Sequence, residues 1–423
     1  MTARPLIMVL TGILLAACDQ ADRFGTRAVT YNKEAEAAKD QGLVLNIIRA
    51  AYRRPLQFTD VTTISGQATA SVTGGLSLVF GPHQSGSAST FTPGTTFSGG
   101  PTFSVVTLNT KEFYEGILTP IPMTTIDYYS SLGFPRALLL TLTINEIDIS
   151  RPDASEAIYN PGTSGDRAQF QTILTDLLDR GMMTEKVPGS KAIGPPLVEA
   201  DLRDSRGIAA LDTQKLALSG HPLGKPGSDL SAEEWSSLHR RGVQFYYRIE
   251  KDDTSARFCF KRNSAKVGAF IGHTGIRMQE SFVCGVRPSS SAARRRTPGQ
   301  YTFRTAETQD ASGITVKTRS VEGIIYFLGE IARSNLKLTD DKNPLKAVVH
   351  EESGSEDTAF SIGTDQFAPG ISANYDGQTY FVPIDPKGHD RSGQVLEFLA
   401  ELLALNSSAK DLPAPNIIPL ISR

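Results

Sequence analysis

Leu43, Val44, Ile47, Ile48 and Ala51 recur three and four residues apart, and Pro55 follows. That spacing predicts an amphipathic helix that ends before the proline. Sequence rich in Thr, Val, Ser and Gly comes next, over residues 61–64 and 68–80, and reads as β structure. Thr90-Phe91, Thr96-Phe97 and Thr102-Phe103 then repeat at six-residue spacing among Gly, Pro, Ser and Thr. Residues 81–101 hold too few apolar positions to build a core, so a loop or an extended hairpin is expected there. Two short helices follow. One covers residues 111–118 and is closed by Thr119-Pro120-Ile121-Pro122; the other carries Ile126, Tyr128 and Tyr129 and stops at Gly133 and Pro135. Residues 138–149 read as one long strand. Its first half is nearly all apolar, as in a strand buried on both faces, and its second half alternates.

Phe170, Ile173, Leu174, Leu177 and Leu178 mark another amphipathic helix. Residues 185–230, rich in Pro, Gly and charge, read as a long connection with little regular structure. Ser231-Ala232-Glu233-Glu234 is a capping box. Five β segments are expected, at 243–249, 256–261, 281–286, 301–305 and 314–317, and their short turns favour antiparallel pairing. Ser320 caps a helix with Val321, Ile324, Ile325, Leu328 and Ile331 on one face. Asp376-Gly377 predicts a hairpin between residues 371–374 and 379–382. A last helix buries Val395, Phe398, Leu399, Leu402 and Leu403. Strands and helices mixed without strict alternation indicate an α+β fold, mostly antiparallel sheets flanked by amphipathic helices.

The amino terminus has a different character. Arg4 precedes the apolar runs Leu6-Ile7-Met8-Val9-Leu10 and Ile13-Leu14-Leu15, and the small residues Ala16-Ala17 follow. The stretch is shorter than the ~20 residues a spanning helix needs. Leu15-Ala16-Ala17-Cys18 resembles the lipobox of bacterial lipoproteins. That resemblance implies a diacylglyceryl group on Cys18, cleavage before it and acylation of the new amino terminus. The other reading is an ordinary secretory signal with a chance cysteine. Asp19 resembles the signal that retains enterobacterial lipoproteins in the inner membrane. The expected location is therefore membrane-anchored on the periplasmic side, with the inner membrane favoured.

The expected organisation is a signal peptide over 1–17, a lipid-anchored tether over 18–41, an α+β part over 42–184, the connection 185–230, a second α+β part over 231–412 and a tail over 413–423. The two α+β parts form either two domains or one continuous domain. The polar residues 19–41 read as a tether that becomes a helix; where flexible, ~20 residues would span about 25 Å. Several segments are similar, in the same order, to a group of uncharacterised bacterial lipoproteins and envelope proteins. They are Leu45-Asn46-Ile47-Ile48-Arg49 to Pro55-Leu56-Gln57-Phe58, residues 113–122, Thr318-Arg319-Ser320-Val321 to Leu328, and 377–384 with the last helix. The likeness fades over 185–300. It implies a shared fold and no particular activity.

The net charge of −2 argues against a bulk electrostatic partner such as nucleic acid. Cys259 and Cys284 lie in expected strands; they pair as a disulfide in an oxidising periplasm or stay as two buried thiols. None of the six histidines stands at ligand spacing from another. There is no His-Glu-x-x-His, cysteine cluster, Walker loop or dinucleotide fingerprint, so no metal or cofactor is expected. The nearest matches to a nucleophile elbow, around Ser85 and Ser353, lack the preceding buried strand. His350-Glu351-Glu352 reads as a solvated loop. Glu115, Glu146 and Asp148 are candidate paired carboxylates for glycan cleavage, against a default of surface charge. Arg294-Arg295-Arg296 is either a phosphate contact for lipid headgroups or a solvated loop. Phe91, Phe97 and Phe103 either fold back on their own domain or bind a partner.

These features read first as a membrane-anchored, non-catalytic lipoprotein of the cell envelope that binds or assembles with another envelope protein. The alternative is an envelope hydrolase acting on cell-wall or lipid substrates. A solute-binding lipoprotein is a third class, for which alternating strands and helices are lacking.

Overall fold

The computed structural model describes residues 24–73, 94–108, 110–161, 164–203, 216–224, 230–252, 255–271, 274–286, 299–304, 312–340, 345, 348–350, 356–365, 369–385, 387 and 389–406. The fold is α+β with antiparallel sheets. The protein divides into two compact units. The first comprises residues up to Thr119, Ser320–Val348 and Glu356 onward; the second comprises Pro120–Arg319 and Val349–Ser355. The boundaries expected at 42–184, 185–230 and 231–412 therefore give way to one unit inserted into the other. Sequence order hid this, because the late helices pack on the first one.

In the first unit, α1 (Phe24–Ala51) buries Leu43, Val44, Ile47, Ile48, Ala50 and Ala51 near its end. The helix begins far before the expected position. The tether, expected to become a helix, is already helical from Phe24, because Ala, Glu, Lys and Gln there are good helix formers that need no buried face. Asn46 is buried, and its amide holds both backbone groups of Gln57: Oδ1 accepts from Gln57 N at 2.9 Å and Nδ2 donates to Gln57 O at 2.8 Å. This fixes the root of a two-stranded ribbon, β1 (Thr59–Thr73) and β2 (Gly94–Thr107), paired antiparallel over its whole length. The segment expected as a loop or an extended hairpin thus contributes a long strand. Next comes α2 (Lys111–Leu118), capped by Thr110, with Phe113 edge-on to Phe58 at 5.3 Å.

The second unit opens with α3 (Met123–Ser131) and α4 (Arg136–Thr143), then β3 (Ile144–Ser150) and β4 (Ser155–Tyr159). The long strand expected over 138–149 is a helix followed by a strand. Residues 137–143 are all buried, so their apolar run has no polar face to reveal a period. α5 (Ser164–Asp179) leads to β5 (Met182–Val187). The connection expected over 185–230 instead holds β6 (Ser190–Leu197) and β7 (Leu216–Pro222). These flank β8 (Phe245–Asp252) in a three-stranded sheet, with α6 (Ala232–Arg240) between β7 and β8 in sequence. The strands were hidden because they bury few side chains; the small core here is Val198, Leu230, Leu238 and Tyr246.

This subdomain carries the protein's single tryptophan, Trp235, and two carboxylates held below their ordinary range. Glu234 is lowered chiefly by the backbone N–H of Ser231 in the capping box, and Glu250 by hydrogen bonds from Ser190, Ser219 and His221. Both folded values lie below the unfolded ones, so their stabilisation is complete above the ordinary 4.5 and is lost as pH falls through the lowered values. Acid should loosen this subdomain, read as a red shift of Trp235 emission below that pH. In Glu250→Gln, which stands in for the protonated acid, the pH dependence should be shallower and loosening should begin at higher pH, because the variant lacks the stabilisation that the ionised carboxylate gives the wild type.

β9 (Ser255–Phe260) pairs with β5. The strand expected at 281–286 is a short turn. There the buried Arg257 guanidinium donates to the carbonyls of Ser281 and Val283, and pairing with β9 is confined to one bridge between Val283 and Phe260. The last strands of this unit, β10 (Gln300–Arg304) and β11 (Gly313–Thr318), complete a four-stranded sheet in the order β10-β11-β3-β4.

The polypeptide then returns to the first unit with α7 (Val321–Asn335), whose cap Ser320 accepts from Gly323 N. α7 crosses α1 closely: a Cβ added to Gly329 would stand 2.6 Å from the Ala50 Cβ. Short strands β12 (Val348–His350) and β13 (Glu356–Thr358) precede the hairpin β14 (Gly370–Tyr375) and β15 (Gln378–Pro383). Asp376 and Gly377, with φ of 50° and 80°, form its turn as the Asp-Gly pair predicts. The final α8 (Ser392–Asn406) buries Val395, Phe398, Leu399 and Leu402; Leu403, expected with them, is only partly covered.

Candidate functional site

Period-two alternation puts Glu146 and Asp148 of β3 on the same face of the four-stranded sheet. Lys317 of β11 stands opposite Glu146 in the register. Its Nζ lies 2.8 Å from Glu146 Oε1 and 2.8 Å from Asp148 Oδ2. Burial lifts the Glu146 carboxyl above its ordinary value, helped by its hydrogen bond to Asp148 and opposed by Lys317. The hydrogen bonds from Asp148 and Glu146 lift Lys317 in turn. Asp148 Oδ1 is buried with no hydrogen-bond partner among the described residues. Two of the three carboxylates singled out from the sequence thus meet, on one ammonium. Glu115 sits on α2 in the other unit, mostly exposed and paired with Lys111 at 3.3 Å. The arrangement holds two carboxylates on one ammonium, and burial favours the protonated form of Glu146.

Cys259 and Cys284 are joined, with S–S 2.02 Å and Cα–Cα 5.0 Å. Glu185 lies beside them and accepts from Arg257 Nε at 2.6 Å. Both sulfurs are consumed by the disulfide, so this trio offers no thiolate to a metal. Phe97 and Phe103 fall on β2, opposite Ala70 and Ile64. Cys18, Phe91, Arg294, Arg295, Arg296, Ser85, Glu351, Glu352 and Ser353 lie outside the described residues, as do the expected signal peptide and the tail 413–423.

One polar network was not legible in the sequence. Before α8, the buried Asp357 accepts from Arg391 Nε at 3.0 Å and Nη2 at 2.6 Å, and His389 Nδ1 stands 3.6 Å from its other oxygen. Ser361 donates to Asp390 at 2.5 Å, and Asp390 accepts the Ser392 N–H at 2.9 Å. A serine, a histidine and aspartates are neighbours here, but the serine hydroxyl is spent on Asp390 and Arg391 occupies Asp357. The network closes the entry of α8. Its only sequence signal was the run Asp390-Arg391-Ser392 at a helix start.

The first unit also holds an open groove of about 100 Å³ between α1, the ribbon root and α8, lined by Leu43, Asn46, Phe58, Phe113, Ala400 and Leu403 among others. Ligand sites ordinarily enclose ~300 Å³ or more, so this groove is too small for a whole substrate. No family model matches the protein, and no curated protein or solved structure is significantly similar to it.

Proposed function

We propose that the protein is a lipid-anchored component of the bacterial envelope that works by binding and assembly rather than by chemistry. The observation that supports this best is α1. It begins six residues beyond Cys18, and its residues 29–41 are exposed or only partly covered. At 1.5 Å per residue they make a stalk of about 20 Å. A lipid on Cys18 would be joined to the first unit through a stiff helix rather than a slack linker. Two or more acyl chains hold a protein stably on a bilayer. The envelope partner is reached through surfaces of the units, and the group around Lys317 serves as internal charge pairing.

The envelope hydrolase remains the second reading, favoured by the raised Glu146 carboxyl beside the orphan Asp148 oxygen. Radiolabelled palmitate fed to cells should label the wild type and not Cys18→Ser, and the variant should move from membranes to the soluble fraction. Unlabelled wild type would end the anchored reading. Loss of a cell-wall-degrading activity in Asp148→Asn, with the fold intact, would replace binding by hydrolysis.

A further inference from the structure

We infer that the β1–β2 ribbon is one copy's share of a β-barrel that several copies of this protein build across a bilayer. The inference deepens the anchored reading above and rests on it only for delivery to the membrane.

The register sorts the ribbon into two faces. Ile64, Gly66, Ala68, Ala70 and Val72 pair with Phe103, Pro101, Gly99, Phe97 and Thr95. These positions share one face, and all but Thr95 are apolar or glycine. The positions between them are Thr63, Ser65, Gln67, Thr69, Ser71 and Thr73, opposite Ser104, Thr102, Gly100, Ser98, Thr96 and Gly94. Every residue on that second face is polar, uncharged or glycine. Phe97 and Phe103 stand six residues apart, and that even spacing keeps both on one face.

Charge makes the pattern unusual. Although 21% of all residues are charged, residues 61–110 contain no Asp, Glu, Lys or Arg. Asp60, the second residue of β1, is the ribbon's one charge and sits at its root. A bulge between Val61 and Thr63 separates that root from the alternating stretch. Bulges are common at barrel rims, where pairing must bend. Soluble proteins guard open strand edges with lysine, charge or cover, and beyond Asp60 this ribbon carries none of the charged guards. Neither outer edge pairs with another strand among the described residues.

Two strands alone are marginal in water, and backbone edges cannot stay open in hydrocarbon. Pairing edge to edge with further copies satisfies both demands. The stretch from Thr63 to Thr73 matches the ~9–11 residues of a tilted membrane strand. An apolar face toward lipid and a Thr/Ser/Gln face toward a water-filled lumen is the side-chain order of such barrels. With two strands per copy, the smallest barrels of about eight strands need about four copies. Pro101 removes one N–H donor from β2, a loss at a single register position.

The test uses the full-length, lipidated protein reconstituted into vesicles of phosphatidylethanolamine and phosphatidylglycerol. Thr69→Cys, Ala70→Cys, Ser71→Cys and Val72→Cys are labelled with a hydrophilic maleimide, the native Cys259 and Cys284 being bonded. Positions 69 and 71 should react, and positions 70 and 72 should react about tenfold more slowly, shielded by lipid. Planar bilayers should show conductance, and crosslinking should give a ladder of at least about four copies. Val72→Arg should abolish the conductance, whereas Thr69→Arg, the same change on the other face, should keep it and shift selectivity toward anions. Equal labelling on both faces overturns the inference. So does period-two protection without conductance, which would mean that a protein partner covers the apolar face. Protein that carries palmitate and floats with vesicles, yet stays monomeric and non-conducting, ends the barrel and leaves the anchored reading standing. Conducting protein without palmitate does the reverse.

Discussion

Arg319→Met lowers the stability of the second unit by about 3 kcal/mol, the expected balance of several broken buried hydrogen bonds and one relieved buried charge. Arg319 is buried, and its guanidinium donates to the carbonyls of Thr141 at 3.1 Å and Leu142 at 2.6 Å, and to that of Asn160. Its own N–H donates to Thr143 O at 2.6 Å. The first two carbonyls, with Thr143, belong to the last turn of α4, where the helix dipole presents negative charge and where no intrahelical donor remains. Burial pushes the guanidinium down to about 9, so it stays charged at neutral pH. Methionine keeps the volume but takes the guanidinium from the Leu142 and Asn160 carbonyls; Thr141 O keeps the Asn160 Nδ2 donor at 3.1 Å, and Thr143 O keeps the backbone N–H of position 319. Lysine keeps the charge but cannot serve carbonyls on three residues with a planar fork, so Arg319→Lys should recover only part of the loss. Amide hydrogen exchange at Leu140, Thr141 and Leu142 provides the measurement. Protection there should fall about a hundredfold in Arg319→Met; unchanged protection would show that the helix end finds other donors.

Gly329→Leu separates α7 from α1 and costs the first unit about 3 kcal/mol or more, as overpacking at a fixed helix crossing. A Cβ at this position meets the Ala50 Cβ at 2.6 Å, but also the carbonyl carbon of Ala50 and the amide nitrogen of Ala51, both at 3.0 Å. A side chain is able to turn away; backbone is not. Gly329→Ala should therefore still destabilise, even though alanine gains about 1 kcal/mol of helix propensity over glycine. Adding Ala50→Gly to it should restore only part of the stability, since the backbone contacts remain. Arg333 Nη1 donates to Ala51 O at 2.6 Å, and Arg53 pairs with Glu330 at 2.7 Å, so the same crossing also caps the end of α1. Denaturant unfolding followed by hydrogen exchange in α1 and α7 distinguishes these variants. A stabilised Gly329→Ala would mean that the two helices part without cost.

Elements with one buried face were legible in the sequence alone. The end of α1, α5, α7, α8 and the Asp376-Gly377 hairpin all follow from period and turn chemistry, and the capping box at Ser231 follows from four residues. Elements buried on every side or on almost none were not. α4 has no polar face to betray its period, and β6 and β7 bury too little to stand out from a loop. Where the helix of residues 24–41 begins was unmarked for the same reason, since a solvated helix shows no stripe.

The candidate site divides in the same way. The even spacing of Glu146 and Asp148 put them on one face, but Lys317 joins them only because β11, far along the sequence, pairs with β3. Asp357 and Arg391 met the same fate: each is an ordinary charged residue until the fold closes α8. Alternation along a strand is a local property, so the two faces of the ribbon and its lack of charge were already written in residues 61–110. Which strand faces which, where one unit interrupts the other, and which buried cation holds a helix end depend on contacts between residues far apart in sequence. Local periodicity cannot carry that information; only the closing of the core decides it.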